Sequence, residues 1–437
     1  MPRRLVLLGP LLSFAMLASS CRHSAPPVAA PSRAPSPSPS PTLPPAPSPS
    51  PSAAPTPPPL GKPAHWITGP LHTFGTQIVD AGNHPVRLTG IGIIGMQHGT
   101  GSPYPDPQPF AGCIGWRAPD SIVYGQVRSW GFNVVRLPVT WANLEPSPPT
   151  KGKKGKLEHH WNSAYLGTVD ALIHGFARKG VATILDMSQV RWSPAFTGVP
   201  LPNGHKLCGD GMPDWLYPGS HGIDSIASAE KDFFADRGRV QQKFLAAWTF
   251  LANHVRKQKM VVGADILNEP YDILVQKYPG GTDLKAKDLD LRGFYEKAGR
   301  AIHDANPNLL LIFQDNKSRR TGKWCVTGPP DLPNAVYSAH WYSTQWSSSE
   351  GKPKLKGYVK RARGWDMPLW LGEFTAMGYS TNDVTGPHWE TDTKTFLAYA
   401  EDNDVGWTVW AYGSGDFLVK GTTDPKPGIV KVLRTGF

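Results

Sequence analysis

Several motifs that mark common enzyme classes are missing from this chain of 437 residues. It has four cysteines and neither a C-x-x-C nor an H-E-x-x-H motif, which argues against a zinc site. No G-x-S-x-G motif occurs, so a serine esterase or amidase with its nucleophile on a sharp turn is not expected. The mostly apolar stretch at residues 5–18 is too short to span a bilayer comfortably. The sequence therefore predicts no metal and no cofactor.

The first residues carry the pattern of an export signal. Arg3 and Arg4 precede the apolar stretch, a combination that is typical of a secretory signal peptide, here over residues 1–21. The tetrapeptide before Cys21 resembles a bacterial lipobox, so Cys21 is a candidate lipidation site, with ordinary secretion as the alternative. We expect an exported protein, extracellular or at the cell surface, and anchored to the outer face of the bacterial membrane if Cys21 is acylated.

A Pro/Ser-rich segment follows at residues 22–64. A packed core cannot form from this composition, so we predict a disordered, extended linker. Residues 65–437 are left for one folded domain.

The excess of basic residues is concentrated at one end of the chain. The formal net charge is +11, but five Lys and Arg residues lie in the first 64 positions, which contain no Asp or Glu. The mild excess in the remainder does not argue for nucleic-acid binding. The one notable basic cluster, KGKKGK at residues 151–156, is interpreted as a solvated loop, with weak attraction to an anionic surface as the alternative.

The cysteines favour a disulfide, because the chain is predicted to be exported. If Cys21 is acylated, at most one pair can form among Cys113, Cys208 and Cys325. The sequence does not select which pair.

Apolar, β-rich runs alternate with amphipathic stretches through the body of the chain. Eight runs are predicted as strands: residues 86–94, 133–139, 182–187, 261–267, 309–314, 335–342, 368–374 and 406–411. Helical patterns separate most of them, at residues 121–130, 161–178, 240–256, 294–303, 357–363 and 389–400. Because continuous apolar strands that alternate with helices are typical of parallel sheets, the sequence predicts an α/β fold, a (β/α)8 TIM barrel.

Three segments depart from the simple repeat. Residues 317–333 show no clear helix after the fifth strand. Residues 188–237, after the third strand, are predicted as a long loop that could cover a cleft. Before the first strand, residues 73–79 and 86–88 are predicted to form an N-terminal hairpin, turning at residues 80–83, that closes the floor of the barrel.

Two glutamates stand at the ends of predicted strands. Glu269 follows the fourth strand and Glu373 ends the seventh. An ionised carboxylate is costly to bury inside a sheet, but at the carboxyl end of a barrel strand it can meet a substrate. A pair of such carboxyl groups is what glycoside hydrolysis needs, one to protonate the leaving oxygen and one to attack or to activate water.

Other motifs at the same predicted rim carry a resemblance to a known family. They are Val135-Arg136-Leu137-Pro138, Asn268-Glu269-Pro270, His340-Trp341-Tyr342, Gly372-Glu373-Phe374 and Trp410. In this order the chain resembles glycoside hydrolase family 5 over roughly residues 70–420. That family contains retaining β-glycosidases, among them many cellulases, mannanases and endoglycoceramidases.

The resemblance implies a role for each residue of the set. Glu269 would be the general acid and base and Glu373 the nucleophile, about 5–5.5 Å apart as retention requires. Arg136 would keep Glu373 ionised, and Tyr342 would donate a hydrogen bond to it.

The other three residues would act on the sugar. Asn268 would hold its 2-hydroxyl, His340 would orient the acid or the sugar, and Trp410 would provide an apolar surface under the ring. The implied partner is a carbohydrate or a glycolipid, bound by a chain that is expected to be a monomer.

One position departs from the family pattern. The family usually has Asp-x-His after the third strand, and here Ser188 follows Asp186-Met187, so Asp186 is interpreted as structural. Local similarity to endoglycoceramidase-like members keeps glycolipids open beside a β-linked glucan or related polysaccharide. A sugar-binding surface protein without activity is the alternative from another class.

Overall fold

The computed structural model describes residues 65–97, 124–189, 191–200, 209–222, 224–270, 290–315, 324–343, 346–349, 351–375, 388–413, 417–419 and 422–437. The predicted signal peptide, the linker and the lipidation candidate Cys21 lie outside these residues. So do Cys113 and Cys208, whereas Cys325 is buried in the core.

The strands of the described residues form one closed parallel barrel and two small antiparallel pairs. In chain order they are β1 (His72–Phe74), β2 (Gln77–Val79), β3 (Thr89–Ile93), β4 (Val134–Val139), β5 (Thr150–Lys151), β6 (Leu157–Glu158), β7 (Ala182–Met187), β8 (Val261–Asp265), β9 (Leu310–Gln314), β10 (Ala335–Trp341), β11 (Leu369–Phe374) and β12 (Gly406–Tyr412). The barrel closes in the order β3-β4-β7-β8-β9-β10-β11-β12. Each predicted strand is therefore found, and the (β/α)8 barrel is confirmed.

Helices cover the outside of the barrel. Those in the described part of the chain are α1 (Tyr124–Ser129), α2 (Trp141–Leu144), α3 (Ser163–Ala177), α4 (Asp224–Phe234), α5 (Val240–His254), α6 (Leu291–Ala305), α7 (Lys352–Gly364), α8 (Trp389–Asp402) and α9 (Ile429–Leu433). Their apolar sides cover the outer faces of strands such as β4, which is buried along its whole length. Burial on both faces explains why these strands read as continuous apolar runs. The described residues after β9, 324–333, contain no helix, as the sequence predicts.

The N-terminal hairpin has a different register from the predicted one. β1 pairs with β2 around a turn that contains Gly75, whose φ of 55° is in the left-handed region. The predicted turn at residues 80–83 exists as well, but it closes only a single bridge between Val79 and Pro85. Glycine adopts a left-handed φ at little cost, so Gly75 explains the earlier turn.

The same segment closes the amino end of the barrel, as predicted. Ile67, Leu71 and Ile78 pack in one apolar cluster with inward-facing strand residues such as Ile184 and Leu310. The barrel interior is thus filled by side chains below the opposite, carboxyl-end rim.

The segment after β7 is more ordered than the predicted loop. It contains α4 and short 3-10 turns at Pro194–Phe196 and Asp214–Leu216. α4 buries Ile226, Ala229 and Phe233, a spacing of three and four residues that marks one helix face. No helix in the described part of the chain is long and apolar enough to cross a membrane.

Candidate active site

The two predicted catalytic glutamates face each other across the carboxyl-end rim. One carboxylate oxygen of Glu269, one of Glu373 and a ring nitrogen of His340 all lie within 4.8 Å of one another. Parallel pairing places His340 directly beside Glu373 on neighbouring strands. Residues from three separate strand ends therefore converge at one point of the rim.

Arg136 is the charged centre of the group. It is fully buried, and Nη1 donates to Glu373 Oε1 over 2.7 Å, while Nε and Nη2 donate to Asp265 Oδ2 over 3.0 and 2.9 Å. Nη2 also lies 2.9 Å from Asp186 Oδ1. Burial alone would lower the pKa of Arg136, but the three carboxyl groups outweigh it and raise that pKa. Arg136 was predicted among the substrate-binding residues; it is fully buried, and its contacts join it to Glu373 and to the other carboxyl groups of the site.

Glu373 has both carboxylate oxygens occupied by donors. Besides the Arg136 contact, Tyr342 Oη donates to Glu373 Oε2 over 2.5 Å. Charge-assisted hydrogen bonds of this kind stabilise the anion and fix its orientation. Desolvation of the hydroxyl, together with the negative charge of Glu373, raises the pKa of Tyr342 well above its ordinary value, so Tyr342 remains a donor. The two donors therefore fix the Glu373 carboxylate in one orientation at the rim.

Glu269 has the opposite environment. Its side chain is 32% exposed, compared with 9% for the side chain of Glu373. Burial raises the pKa of Glu269, although the more distant charges of Arg136, Arg191 and Lys354 act against that rise. One carboxyl group is thus biased toward its neutral form and the other is surrounded by donors, which is the difference an acid and a nucleophile require.

His340 lies between the two carboxyl groups. Its Nδ1 is 2.8 Å from Glu269 Oε1 and 3.4 Å from Glu373 Oε2. Burial lowers the pKa of His340 to about 4, a shift that the charge of Glu373 only partly offsets. A neutral imidazole can orient Glu269 without competing with Arg136 for the negative charge of Glu373.

Two glutamines that the sequence reasoning did not select hold the backbone of Glu269. That residue has a φ of +36°, a strained value for a side chain with a Cβ. Gln314 Oε1 accepts from its N–H over 2.9 Å, and Gln189 Nε2 donates to its carbonyl over 2.7 Å. The signal available in the sequence was their position: each ends or follows a barrel strand, as the predicted site residues do.

The remaining predicted residues also lie at this rim. Asn268 accepts from Arg136 Nη2 through Oδ1 and donates from Nδ2 to the carbonyl of Gln189, which leaves one amide hydrogen for a ligand. Trp410 is partly exposed, and its ring lies against Gly92, where a Cβ would come within 2.6 Å of the indole. A glycine at position 92 is therefore required for the Trp410 ring to lie where it does.

Asp186 and Ser188 are buried at the end of β7. Burial raises the pKa of Asp186 well above its ordinary value; the charge of Arg136 opposes that rise, and the charges of Asp265, Glu373 and Glu269 add to it. This burial agrees with a structural interpretation of Asp186. Asp265 also belongs to the group and was missed, since it lies inside an apolar strand run and resembles a simple core ion pair.

The cluster of Glu269, His340 and Glu373 has the donor types that would ligate a divalent ion. The contacts of Glu373 favour proton transfer at this site over binding of a metal ion. Both oxygens of Glu373 already accept from Arg136 and Tyr342, and the guanidinium would repel a second cation at this distance.

Comparison with known proteins identifies the family. The model of the family "Cellulase (glycosyl hydrolase family 5)" matches residues 93–416. The chain belongs to this family, and it is a glycosidase. An endoglucanase of Paenibacillus polymyxa is 24% identical over 392 residues, 80% of this chain and 82% of that protein. Endoglycoceramidase I of Rhodococcus hoagii is 23% identical over 340 residues, 70% of this chain and 62% of that protein.

Solved structures share the fold. An endogalactoceramidase superposes with a TM-score of 0.60 at 22% identity and covers 84% of both chains. Endo-glycoceramidase II from Rhodococcus sp., in complex with a five-membered iminocyclitol, gives 0.58 at 18% identity, over 81% of this chain and 80% of the other. At these identities the likeness concerns the barrel architecture.

Proposed function

We propose that this family 5 glycosidase cleaves β-glycosidic bonds with retention of configuration, with Glu269 as acid and base and Glu373 as nucleophile. The observation that carries the proposal is the separation of the two carboxylates, at most 4.8 Å between one oxygen of each. A retaining pair is about 5–5.5 Å apart, whereas an inverting pair leaves room for a water molecule.

In the first step Glu373 attacks the anomeric carbon while Glu269 gives its proton to the leaving glycosidic oxygen. The C–O bond to the leaving group breaks, and a covalent glycosyl ester forms on Glu373. In the second step Glu269, now ionised, removes a proton from water, which attacks the same carbon and releases Glu373. The raised pKa of Glu269 suits the first step, and the donors Arg136 and Tyr342 stabilise the carboxylate that leaves in the second.

For the substrate we propose a β-linked glucan or a related polysaccharide. Similarity to an endoglucanase over four fifths of the chain supports this choice. The partly exposed Trp410, near the carboxyl end of β12, offers an indole face for stacking a pyranose. Together with the predicted signal peptide, a polysaccharide substrate is consistent with action outside the cell.

A glycosphingolipid is the second candidate. Its support is that several similar proteins and solved structures carry endoglycoceramidase names, over 70–84% of this chain in the examples above. Ser188, where the family usually has histidine, changes the groups that could meet the sugar in either case.

The test is a turnover screen on purified full-length protein. Soluble β-glucans, mannans, xylans, an aryl β-glucoside and a glycosphingolipid in detergent would be compared for the unaltered chain and for Glu373→Gln. Release of sugar that disappears in Glu373→Gln, with an unchanged circular dichroism spectrum, supports the proposal. Binding without turnover by the unaltered chain would instead support a sugar-binding protein on a disabled barrel.

A further inference from the structure

A basic hairpin stands on the catalytic face of the barrel, outside the site described above. β5 and β6 pair antiparallel, with Lys151 opposite Leu157, and the turn between them is closed by a bond from Gly152 N to Lys156 O. The hairpin belongs to the connection that follows β4, so it emerges at the carboxyl-end rim, where Glu269 and Glu373 also lie.

The hairpin is exposed but its base is fixed. The ring of His159 lies 2.6 Å from Glu145 Oε1 and stacks on Trp161, which in turn stacks on Phe250 of α5. Because these contacts fix its base, the hairpin keeps one orientation, with the same side of its turn toward solvent.

Its charge is nearly all of one sign. Four lysines are exposed within six residues, and none of them has an ion-pair partner among the described residues. Glu158 is the one acidic side chain of the hairpin. These lysines are Lys151, Lys153, Lys154 and Lys156.

An apolar side chain accompanies the lysines. Leu157 is 43% exposed, one of only four large apolar side chains so exposed among the described residues. Lysines are compact, mobile charges that suit a diffuse anionic surface, whereas recognition of a single anionic group favours arginine. The exposed Leu157, which follows Lys156 and lies opposite Lys151, adds an apolar contact that a bilayer interface can accept, since lysine stems lie along apolar surface while their charges stay in water.

We propose that the hairpin at residues 150–158 docks the catalytic face onto an anionic lipid bilayer. The proposal does not depend on which glycan is cleaved. It supplies a surface that holds the cleft near a membrane, and it is separate from any acyl chain at Cys21.

The experiment measures cosedimentation of the full chain with vesicles at 50 mM NaCl. Every sample carries Cys21→Ser, so that no acyl chain contributes. Vesicles of pure phosphatidylcholine are compared with vesicles containing 30% phosphatidylglycerol. The test variant changes the four hairpin lysines to Gln. The matched control removes four exposed charges from the opposite, amino-end connections, by changing Lys179, Arg256, Lys257 and Lys259 to Gln.

Each basic residue near an anionic membrane contributes about a fivefold factor in partitioning, so removing four should weaken binding roughly a hundredfold or more. The control variant should bind as the parent does, and 0.5 M NaCl should abolish binding because it shortens the screening length. Turnover of a soluble aryl β-glycoside should be equal in all three proteins, which separates docking from catalysis.

Three results would overturn the proposal. An equal loss of vesicle binding in the test and control variants would show that binding depends on the overall charge and not on the hairpin. Equal binding to neutral vesicles would exclude the electrostatic account. Retention on an anionic polysaccharide such as polygalacturonate, without vesicle binding, would assign the hairpin to a glycan partner instead.

Discussion

Replacing the buried Arg136 with methionine should destabilise the fold strongly and alter the charge of the site. The substitution keeps much of the apolar length of the side chain but removes contacts of 2.7–3.0 Å to Glu373, Asp265, Asn268 and Asp186. Breaking a buried ion pair by removing one partner costs about 3–5 kcal/mol, because the remaining charges stay buried without compensation. We therefore expect the free energy of unfolding to fall by about 3–5 kcal/mol at pH 7.

The loss of unfolding free energy in Arg136→Met should grow as pH rises. Burial raises the pKa of Asp186 and Arg136 opposes that rise, so loss of the guanidinium raises this pKa further in the folded state, which then binds more protons than the unfolded state. The unfolding free energy of Arg136→Met should then decrease, relative to the parent, as pH rises from about 4 to 7. Stability lost at pH 7 should be partly regained at pH 4.

Urea denaturation of the full chain at pH 4, 5.5 and 7 measures this. A companion variant, Arg136→Met with Asp265→Asn, removes one of the stranded charges and should regain part of the stability without regaining activity. A loss below about 1 kcal/mol, the size expected for an exposed pair, would refute the reasoning, and so would a deficit that does not grow with pH.

Four further changes test individual residues of the site. Tyr342→Phe removes one charge-assisted hydrogen bond to Glu373 and should lower kcat about 10–100-fold with the fold kept, as steady-state kinetics and circular dichroism would show. Gln314→Ala removes the acceptor of the Glu269 N–H and should lower kcat more than it raises KM; an effect confined to KM would mean that Gln314 does not position the acid. The pKa of His340 is lowered to about 4, so its protonation should contribute to the loss of activity at low pH, and the acid limb of His340→Asn should be less steep than that of the parent. Lys354→Gln removes a charge that lowers the pKa of Glu269, so the alkaline limb of kcat/KM should move to higher pH; a shift to lower pH would contradict the electrostatic account.

The barrel could be predicted because its signals are periodic and local. Runs such as residues 182–187 are mostly apolar, a pattern that is typical of a strand covered on both faces. α4 was missed because Gly and Pro residues around it dominate the segment, although Ile226, Ala229 and Phe233 carry the helix spacing. The hairpin register was missed because two turn signals compete within fifteen residues, and Gly75 closes the earlier one.

The site could be predicted in part for a related reason. Strand ends of a parallel barrel meet at one rim, so Glu269, Glu373 and His340 could be brought together from topology and family resemblance. The supporting contacts of Gln189 and Asp265 could not, because they depend on the backbone strain at Glu269 and on which strand residue faces Arg136. The position of Gln189 after a barrel strand places it at the rim, but the sequence does not show which backbone group it contacts.

The most direct test of the central claim is to trap the covalent intermediate. Incubation with an activated 2-deoxy-2-fluoro β-glycoside of the preferred sugar should stop turnover. The fluorine slows both steps, but the good leaving group keeps the first step fast enough to occur, so the covalent intermediate accumulates. Peptide mass spectrometry should then find one fluorosugar on Glu373, and none should form in Glu373→Gln. If the sugar is found on another residue, or if the unaltered enzyme turns over its substrate with inversion and forms no adduct, the assignment of these two glutamates is wrong.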